Sequence, residues 1–374
     1  MDAVYAKIAE ETVKFGLGDD EKWRELYEPL YPAFPKDIRI IRDEAYGPAE
    51  RNRLDVYLPK GDDAGKTVMM YVHGGGFFGG AKDWSEKRGI ITVVISHQLV
   101  PHVQYPGGAN DIQLAREWIY KNIANEKYGK GSTDKVFLFG HSSGGAHICM
   151  NLYAAGDPER IPEQPIFPPV AGVMILDVPF WYDRRKPVRQ KTIRSYYGSD
   201  AEEVWGPRSA LGLFERLPND SPLLDSRKLP MYIGTVEWEV PETADASVMF
   251  LNAYRSRSQP TGTLPVFHVL KRHNHLRRYS TGGQDSRIHQ RLPGDQLVNE
   301  VVSGKRSWQF MVIKSNHDAR AEIGEWTKEA KVKAVIDETF SFEHAPNPFE
   351  KLKTGRSRGN IVIRVGQWLM MDNE

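Results

Sequence analysis

Apolar residues in this chain gather in short, nearly continuous runs separated by longer amphipathic stretches. "TVMMYVHG" (67–74), "GIITVVISHQLV" (89–100), "KVFLFGHS" (135–142), "VAGVMILDVP" (170–179), "LPMYIGTVEW" (229–238) and "LPVFHVLKR" (264–272) are the runs. Such unbroken apolarity is the pattern of strands buried on both faces. Ahead of them, "DIRIIRDEAYG" and "NRLDVYLP" alternate apolar and polar positions and predict two strands of a hairpin. Between the runs, "ANDIQLAREWIYKNIANEKYG" puts Ile112, Ala115, Trp118, Ile119 and Ile123 at helical spacing, with Gly129 beyond the end. "GGAHICMNLYAAG" predicts a small-residue helix, "SVMFLNAYRSR" another, and the opening "MDAVYAKIAEETVKFG" a further one. Buried strands alternating with helices predict an α/β architecture around a mostly parallel sheet.

One stretch breaks the alternation. Residues 180–228, including "FWYD" and "SYY", are aromatic and basic and carry no strand pattern. They follow the carboxyl end of a strand, the edge where open α/β sheets hold their ligands. A helical cap inserted over a site is the expectation, and the aromatic residues suggest a substrate with an apolar or aromatic body. There is no internal repeat and no low-complexity segment.

Composition narrows the class. The chain has 374 residues, 40% apolar and 26% charged, as in an ordinary globular protein with a large core. A net charge of +1 gives no global field to attract nucleic acid or an anionic membrane. Cys149 is the single cysteine, so no intrachain disulfide can form, and the 11 histidines show no zinc-ligand spacing. The N-terminus lacks the basic start and apolar core of a signal peptide, and no run reaches a membrane span. A cytoplasmic protein is expected, without nucleic-acid or membrane partners. No signal of oligomeric state stands out.

The chemistry is written at two glycine-rich turns. In "FGHSSGG", Gly140-His141-Ser142-Ser143-Gly144 forms G-x-S-x-G at a strand-to-helix junction. A turn this tight needs small neighbours, and it lifts the serine hydroxyl above the sheet, which makes Ser142 the candidate nucleophile. A serine hydroxyl needs a positioned base, and in this architecture the order along the chain is serine, acid, histidine. Strand 229–238 leads into "EWEVPE", with Glu237, Glu239 and Glu242, and strand 264–272 into His273-Asn274-His275.

The second turn, "YVHGGGFFGG", admits two readings. Gly74, Gly76 and Gly79 spell the G-x-G-x-x-G of a dinucleotide site. That site also needs a helix after the glycines and an acid about 20 residues on. Only "AKDWSEKR" precedes the next strand, and "ISHQLVP" has no carboxylate. Bare backbone N–H groups beside a serine, shaped to hold an oxyanion, account for the successive glycines instead.

Taken together, "HGGGF", "LVPHVQYPGGANDIQLAREWIY", "GHSSGG", the acid-rich loop and "HNH" resemble the α/β-hydrolase superfamily over residues 38–300. The nearest branches are hormone-sensitive-lipase-like carboxylesterases and kynurenine formamidase-like enzymes. This resemblance implies Ser142 as nucleophile and His275 as general base. It implies the backbone amides of Gly75, Gly76 and Ser143 as oxyanion donors. The family usually has an aspartate before proline as the acid, and counting onto that pattern lands on Glu239, with Glu237 as the alternative. Arg272, where the family tends to have glycine, and Arg277-Arg278 also depart from the pattern. They would either depress the base's pKa, bind an acidic substrate, or form a solvated basic turn.

Residues 301–374 do not continue this pattern. "SWQFMVIKSNHDARAEIGEW" and "KVKAVIDETFSFEHAPNPFEKLKTGRSRGNIVIRV" resemble the C-terminal end of medium-chain dehydrogenase/reductases of the quinone-oxidoreductase type. The nucleotide-binding segment of that family has no counterpart here, so no cofactor-binding residue carries over. The expected organisation is a hydrolase domain at 1–300, its cap at about 180–228, and an appendage at 301–374 too small to be stable alone. The expected activity is that of a serine hydrolase, cleaving a small-molecule carboxylic ester through an acyl-enzyme with neither cofactor nor metal. An aryl formamidase is the second expectation. A catalytically silent binding protein and a cofactor-dependent reductase, the latter suggested by the tail alone, are the readings from other classes.

Overall fold

The computed structural model describes residues 38–77, 89–162, 164, 166–183, 187–275, 336–341 and 360–364. The predicted N-terminal helix, Arg277-Arg278 and most of the tail lie outside them, as does the side chain of Arg272. The chain divides into two compact units, residues 1–306 and 307–374.

The first unit is built on a sheet of eight strands in the order β1-β2-β4-β3-β5-β6-β7-β8. They are β1 (Arg39–Ala45), β2 (Arg53–Leu58), β3 (Lys66–Val72), β4 (Ile91–Ser96), β5 (Gly131–His141), β6 (Gly172–Leu176), β7 (Met231–Trp238) and β8 (Val266–Asn274). β2 is antiparallel to both of its neighbours, and every pairing from β4 through β8 is parallel. The mostly parallel sheet expected from the apolar runs is therefore present. β4 is buried at all six positions, which explains why its sequence shows no alternation.

Helices cover the sheet: α1 (Gly107–Asn122), α2 (Ser143–Leu152), α3 (Pro187–Tyr197), α4 (Glu202–Trp205), α5 (Ala210–Glu215) and α6 (Pro241–Arg257). α1 buries Ile112, Ala115 and Ile119, while Trp118 is only partly covered. All of α2 is buried, as a helix of small residues behind a central strand must be. α6 begins at Pro241, earlier than its apolar pattern suggests, because proline at the first helical turn fixes φ without losing a hydrogen bond.

α3, α4 and α5 make up the helical insertion between β6 and β7. Its aromatic residues pack on one another: Tyr182, Tyr196, Tyr197 and Trp205 are buried, and Trp181 lies 4.6 Å from Trp205 between ring centroids. Phe180 stacks on Phe250 of α6 at 4.1 Å. These rings serve first as the insertion's core, so its aromatic composition does not by itself specify an aromatic substrate.

In the second unit, β9 (Ile336–Ser341) and β10 (Asn360–Arg364) pair with each other in parallel.

Candidate active site

Parallel strands present their carboxyl ends along one edge, and the candidate residues sit there. Val72 of β3 pairs with Gly140 of β5, His141 with Leu176 of β6, Leu176 with Gly234 of β7, and Trp238 with Asn274 of β8. The loops that follow carry the glycine turn, Ser142, Asp177, Glu239 and His275.

Ser142 stands between β5 and α2 with φ +51° and ψ −126°. A side chain held there costs about 1–3 kcal/mol and persists only where the surroundings enforce it. The Ser142 amide donates to Leu176 O at 2.9 Å, and its carbonyl accepts from Ala146 N at 3.1 Å. A Cβ on Gly144 would fall 2.3 Å from Val72 O, and one on Gly140 2.6 Å from Gly145 Cα. The glycines of G-x-S-x-G are therefore demanded by backbone contact on both sides of the serine.

His275 links the other two groups. Its Nε2 lies 3.0 Å from Ser142 Oγ and its Nδ1 2.8 Å from Glu239 Oε1. The carboxylate holds the proton on Nδ1, leaving Nε2 to accept from the serine hydroxyl. The three sequence-predicted residues, distant along the chain, meet as one hydrogen-bonded line.

Each remaining acid and histidine of the two loops has a different partner. Glu237 pairs with Lys271 at 3.1 Å on neighbouring strands. Glu242 accepts from Arg189 Nε at 2.6 Å, tying α6 to the insertion helix α3. His273 is buried and its Nδ1 donates to Lys271 O at 2.6 Å. Of the acids, Glu239 is the one that reaches His275.

Beside the serine, the loop 73–77 turns with φ +139° at Gly75 and +59° at Gly76. A Cβ on Gly74 would meet Ser142 Cβ and His141 Nδ1, both at 3.0 Å. The loop therefore approaches the serine as closely as bare backbone allows. Beneath it the rings of His73 and His97 stack at 4.4 Å, with His147 edge-on to His97 at 4.6 Å. Burial holds His97 and His147 below the ordinary histidine pKa, which favours their neutral forms, and the three rings pack as an aromatic support. Phe77 closes the loop against Tyr196 of the insertion, 4.7 Å between centroids.

Two acids at this edge are unusual. Burial pushes the Glu239 carboxyl up to about 7, against the favourable Val240 amide, which donates to it at 2.6 Å, and the nearby Arg189. Asp177 is also raised to about 7, first by burial and then by the charge of Glu239. Burial lowers the pKa of His141, whose Nε2 is 3.6 Å from Asp177 Oδ2. Sequence reasoning passed over Asp177 and His141. The signal was there in "MILDVP", where a charged residue ends an apolar strand at the ligand edge.

His141, Asp177 and His275 also offer donor atoms within 4.8 Å of one another, a set that could in principle ligate a metal. A metal there would have to take a nitrogen of His275 from Ser142 or Glu239, breaking the line. Among the described residues no helix is long and apolar enough to cross a membrane.

Strand order, elbow and strand-end placement together define an α/β-hydrolase fold. Comparison with known proteins agrees: esterase B from Lactobacillus rhamnosis matches with a TM-score of 0.59 at 15% identity, covering 81% of this chain and 96% of that one. The BD-FAE family model matches residues 54–160. A probable isoprenylcysteine alpha-carbonyl methylesterase from Arabidopsis thaliana is 34% identical over 116 residues, 29% of this chain and 24% of the relative. The tail has another kinship. The zinc-binding dehydrogenase family model matches residues 267–363, and a trans-enoyl reductase from Aspergillus terreus is 39% identical over 66 residues. Those residues are 17% of this chain, and the chain spans only 18% of that reductase.

The dehydrogenase match begins inside β8, yet β8 here pairs with β7 and leads directly into His275. That strand thus completes the hydrolase sheet.

Proposed function

We propose that this protein is a serine hydrolase that cleaves a carboxylic ester through a covalent acyl-enzyme. One observation carries the reading: His275 bridges Ser142 Oγ and Glu239 Oε1 at hydrogen-bond distance on both sides. In the first step His275 Nε2 takes the proton of Ser142 as Oγ attacks the carbonyl carbon. The resulting imidazolium is stabilised by Glu239, which keeps its own charge. Negative charge collects on the former carbonyl oxygen, where the amides of Gly75, Gly76 and Ser143 receive it. Preorganised donors of this kind contribute about 3 kcal/mol each to the transition state. His275 returns the proton to the leaving alcohol, then activates water to release the acid and free Ser142. The insertion of residues 180–228 acts as a cap, its Tyr196 packed on Phe77 of the oxyanion loop.

On this reading residues 1–300 are the catalytic domain and residues 301–374 an appendage without a step in the reaction, a division supported by the place of Ser142, Glu239 and His275 ahead of residue 300. Labelling by a fluorophosphonate tests the reading directly. Wild-type protein is expected to form a single adduct at Ser142, absent in Ser142→Ala, and intact protein that takes no label would overturn it. Turnover of a short p-nitrophenyl ester against N-formylkynurenine separates an esterase from a formamidase, with the ester expected to be preferred.

A further inference from the structure

Asp177 has no part in the Ser142–His275–Glu239 line, yet the backbone aims it there. It is fully buried and directly follows Leu176, whose carbonyl holds the Ser142 amide. Its own amide donates to Gly234 O of β7 at 3.0 Å, and its φ of +54° is one that few non-glycine residues adopt. Its carboxyl is thereby fixed between His141, 3.6 Å away at the end of β5, and the acid loop after β7. One atom each of Asp177, His141 and His275 fall within 4.8 Å of one another, His275 Nδ1 lies 2.8 Å from Glu239 Oε1, and the two carboxyls act on each other's ionisation. The Glu239 side chain is only 2% exposed.

Two carboxyls so close and so dry do not both ionise cheaply. The groups facing them are few. His141 comes from β5, His275 from the turn after β8, and Arg189, already tied to Glu242, from the insertion. The Tyr232 phenol comes from β7 and is itself raised by burial and by Asp177. Burial keeps His141 neutral at physiological pH, so Arg189 is the one fixed cation acting on the pair among the described residues. One shared proton resolves the excess. Glu239 already accepts from His275 Nδ1 and Val240 N, so the negative charge belongs on Glu239 and the proton on Asp177.

We propose that Asp177 is a positioning residue in its protonated form, donating its carboxyl O–H to Glu239 and holding that side chain as an oriented carboxylate behind His275. The proposal rests on the serine hydrolase reading. During turnover the proton stays on Asp177, and His275 alone shuttles the proton of Ser142.

The test is the pH profile of kcat and KM for p-nitrophenyl acetate in full-length Asp177→Asn and Asp177→Ala. Asparagine still presents an N–H to Glu239, so Asp177→Asn is expected to keep kcat within about tenfold of wild type. Alanine offers no donor. Asp177→Ala is expected to lose about a hundredfold in kcat with KM little changed, its acid limb moved about one unit to higher pH. A second readout needs no turnover. The downfield proton resonance of His275 Nδ1–H should persist at neutral pH in wild type and Asp177→Asn and weaken in Asp177→Ala.

If asparagine is as damaging as alanine, the ionised carboxylate is what matters and the proposal is wrong. It is equally wrong if alanine leaves both the acid limb and the resonance in place. Should Asp177→Ala fail to fold, Asp177→Asn decides alone: a loss beyond about a hundredfold overturns the proposal, and a smaller one upholds it. Wild-type protein without adduct or ester turnover would sink the hydrolase reading, while the resonance would still report on Asp177.

Discussion

At the scale of single residues, the division of labour among three acids is the central fact. Glu237 at the end of β7, Glu239 in the turn after it and Glu242 in the first turn of α6 lie within six residues, yet they face Lys271, His275 and Arg189 respectively. Glu239→Gln is expected to lower kcat about 10³–10⁴-fold with little change in KM, because a neutral amide neither fixes the tautomer nor stabilises the imidazolium. Glu237→Gln should leave turnover within about threefold, as an exposed pair contributes little; parallel kinetics on the two variants check both statements. Protonating Glu239 removes the same support, so the ester hydrolysis rate should fall as pH drops through about 7. Stability runs the other way. The carboxyl's folded pKa lies above its ordinary 4.5, so the folded state binds the proton more tightly than the unfolded state does. The contribution is complete below 4.5 and disappears as pH rises through about 7. Glu239→Gln should therefore raise Tm at pH 8 relative to wild type and give no such gain at pH 4. Thermal melts at the two pH values measure this exchange of stability for activity.

At the scale of elements, the strand–turn–helix at β5 and α2 is tightly constrained by backbone contact. Gly144→Ala would drive a Cβ into the backbone oxygens of Val72 and His73, at 2.3 and 2.5 Å, and backbone cannot step aside. A loss of about 3 kcal/mol or more in unfolding free energy is expected, measured by denaturant titration. α6 is held by its core face. Phe250 is fully buried between Phe180 and Phe214, so Phe250→Ala should cost about 3–5 kcal/mol. Because α6 starts two residues after Glu239, loosening it should also reduce kcat. Most elements were legible in the chain. The apolar runs and the hairpin pattern marked eight strands, and the spacing around Ile112 and Ile119 marked α1. The start of α6 was missed, because its first turn, "PETADAS", has no apolar stripe of its own.

At the scale of the whole molecule, the chain divides into two compact units, residues 1–306 and 307–374. β9 and β10 pair with each other, and the candidate catalytic residues Ser142, Glu239 and His275 all belong to the first unit. Truncation after Arg306 is expected to leave kcat/KM for a short p-nitrophenyl ester within about threefold of the full chain, a change too small to mark lost catalytic contacts. A large loss in a truncated protein that still melts cooperatively would show that the appendage supports catalysis. NADPH is expected to leave Tm unchanged, since ligand binding to the native state would raise it.

The chain by itself determined the alternation of strands and helices, the elbow at Ser142 and the bare turn at Gly74–Gly76. Those features obey local rules: apolar periodicity, and glycine wherever backbone must pass close to backbone. It also ordered serine, acid and histidine along the chain, but left Glu237, Glu239 and Glu242 as candidates and His273 beside His275. Only the tertiary structure could choose, because adjacent residues of a loop differ in direction rather than in type. Pairing of β7 with β8 turns Glu237 to Lys271 and Glu239 to His275. The same packing brings Asp177 from a separate strand into their company. Its burial, which no local pattern encodes, changes what a carboxyl group there can do.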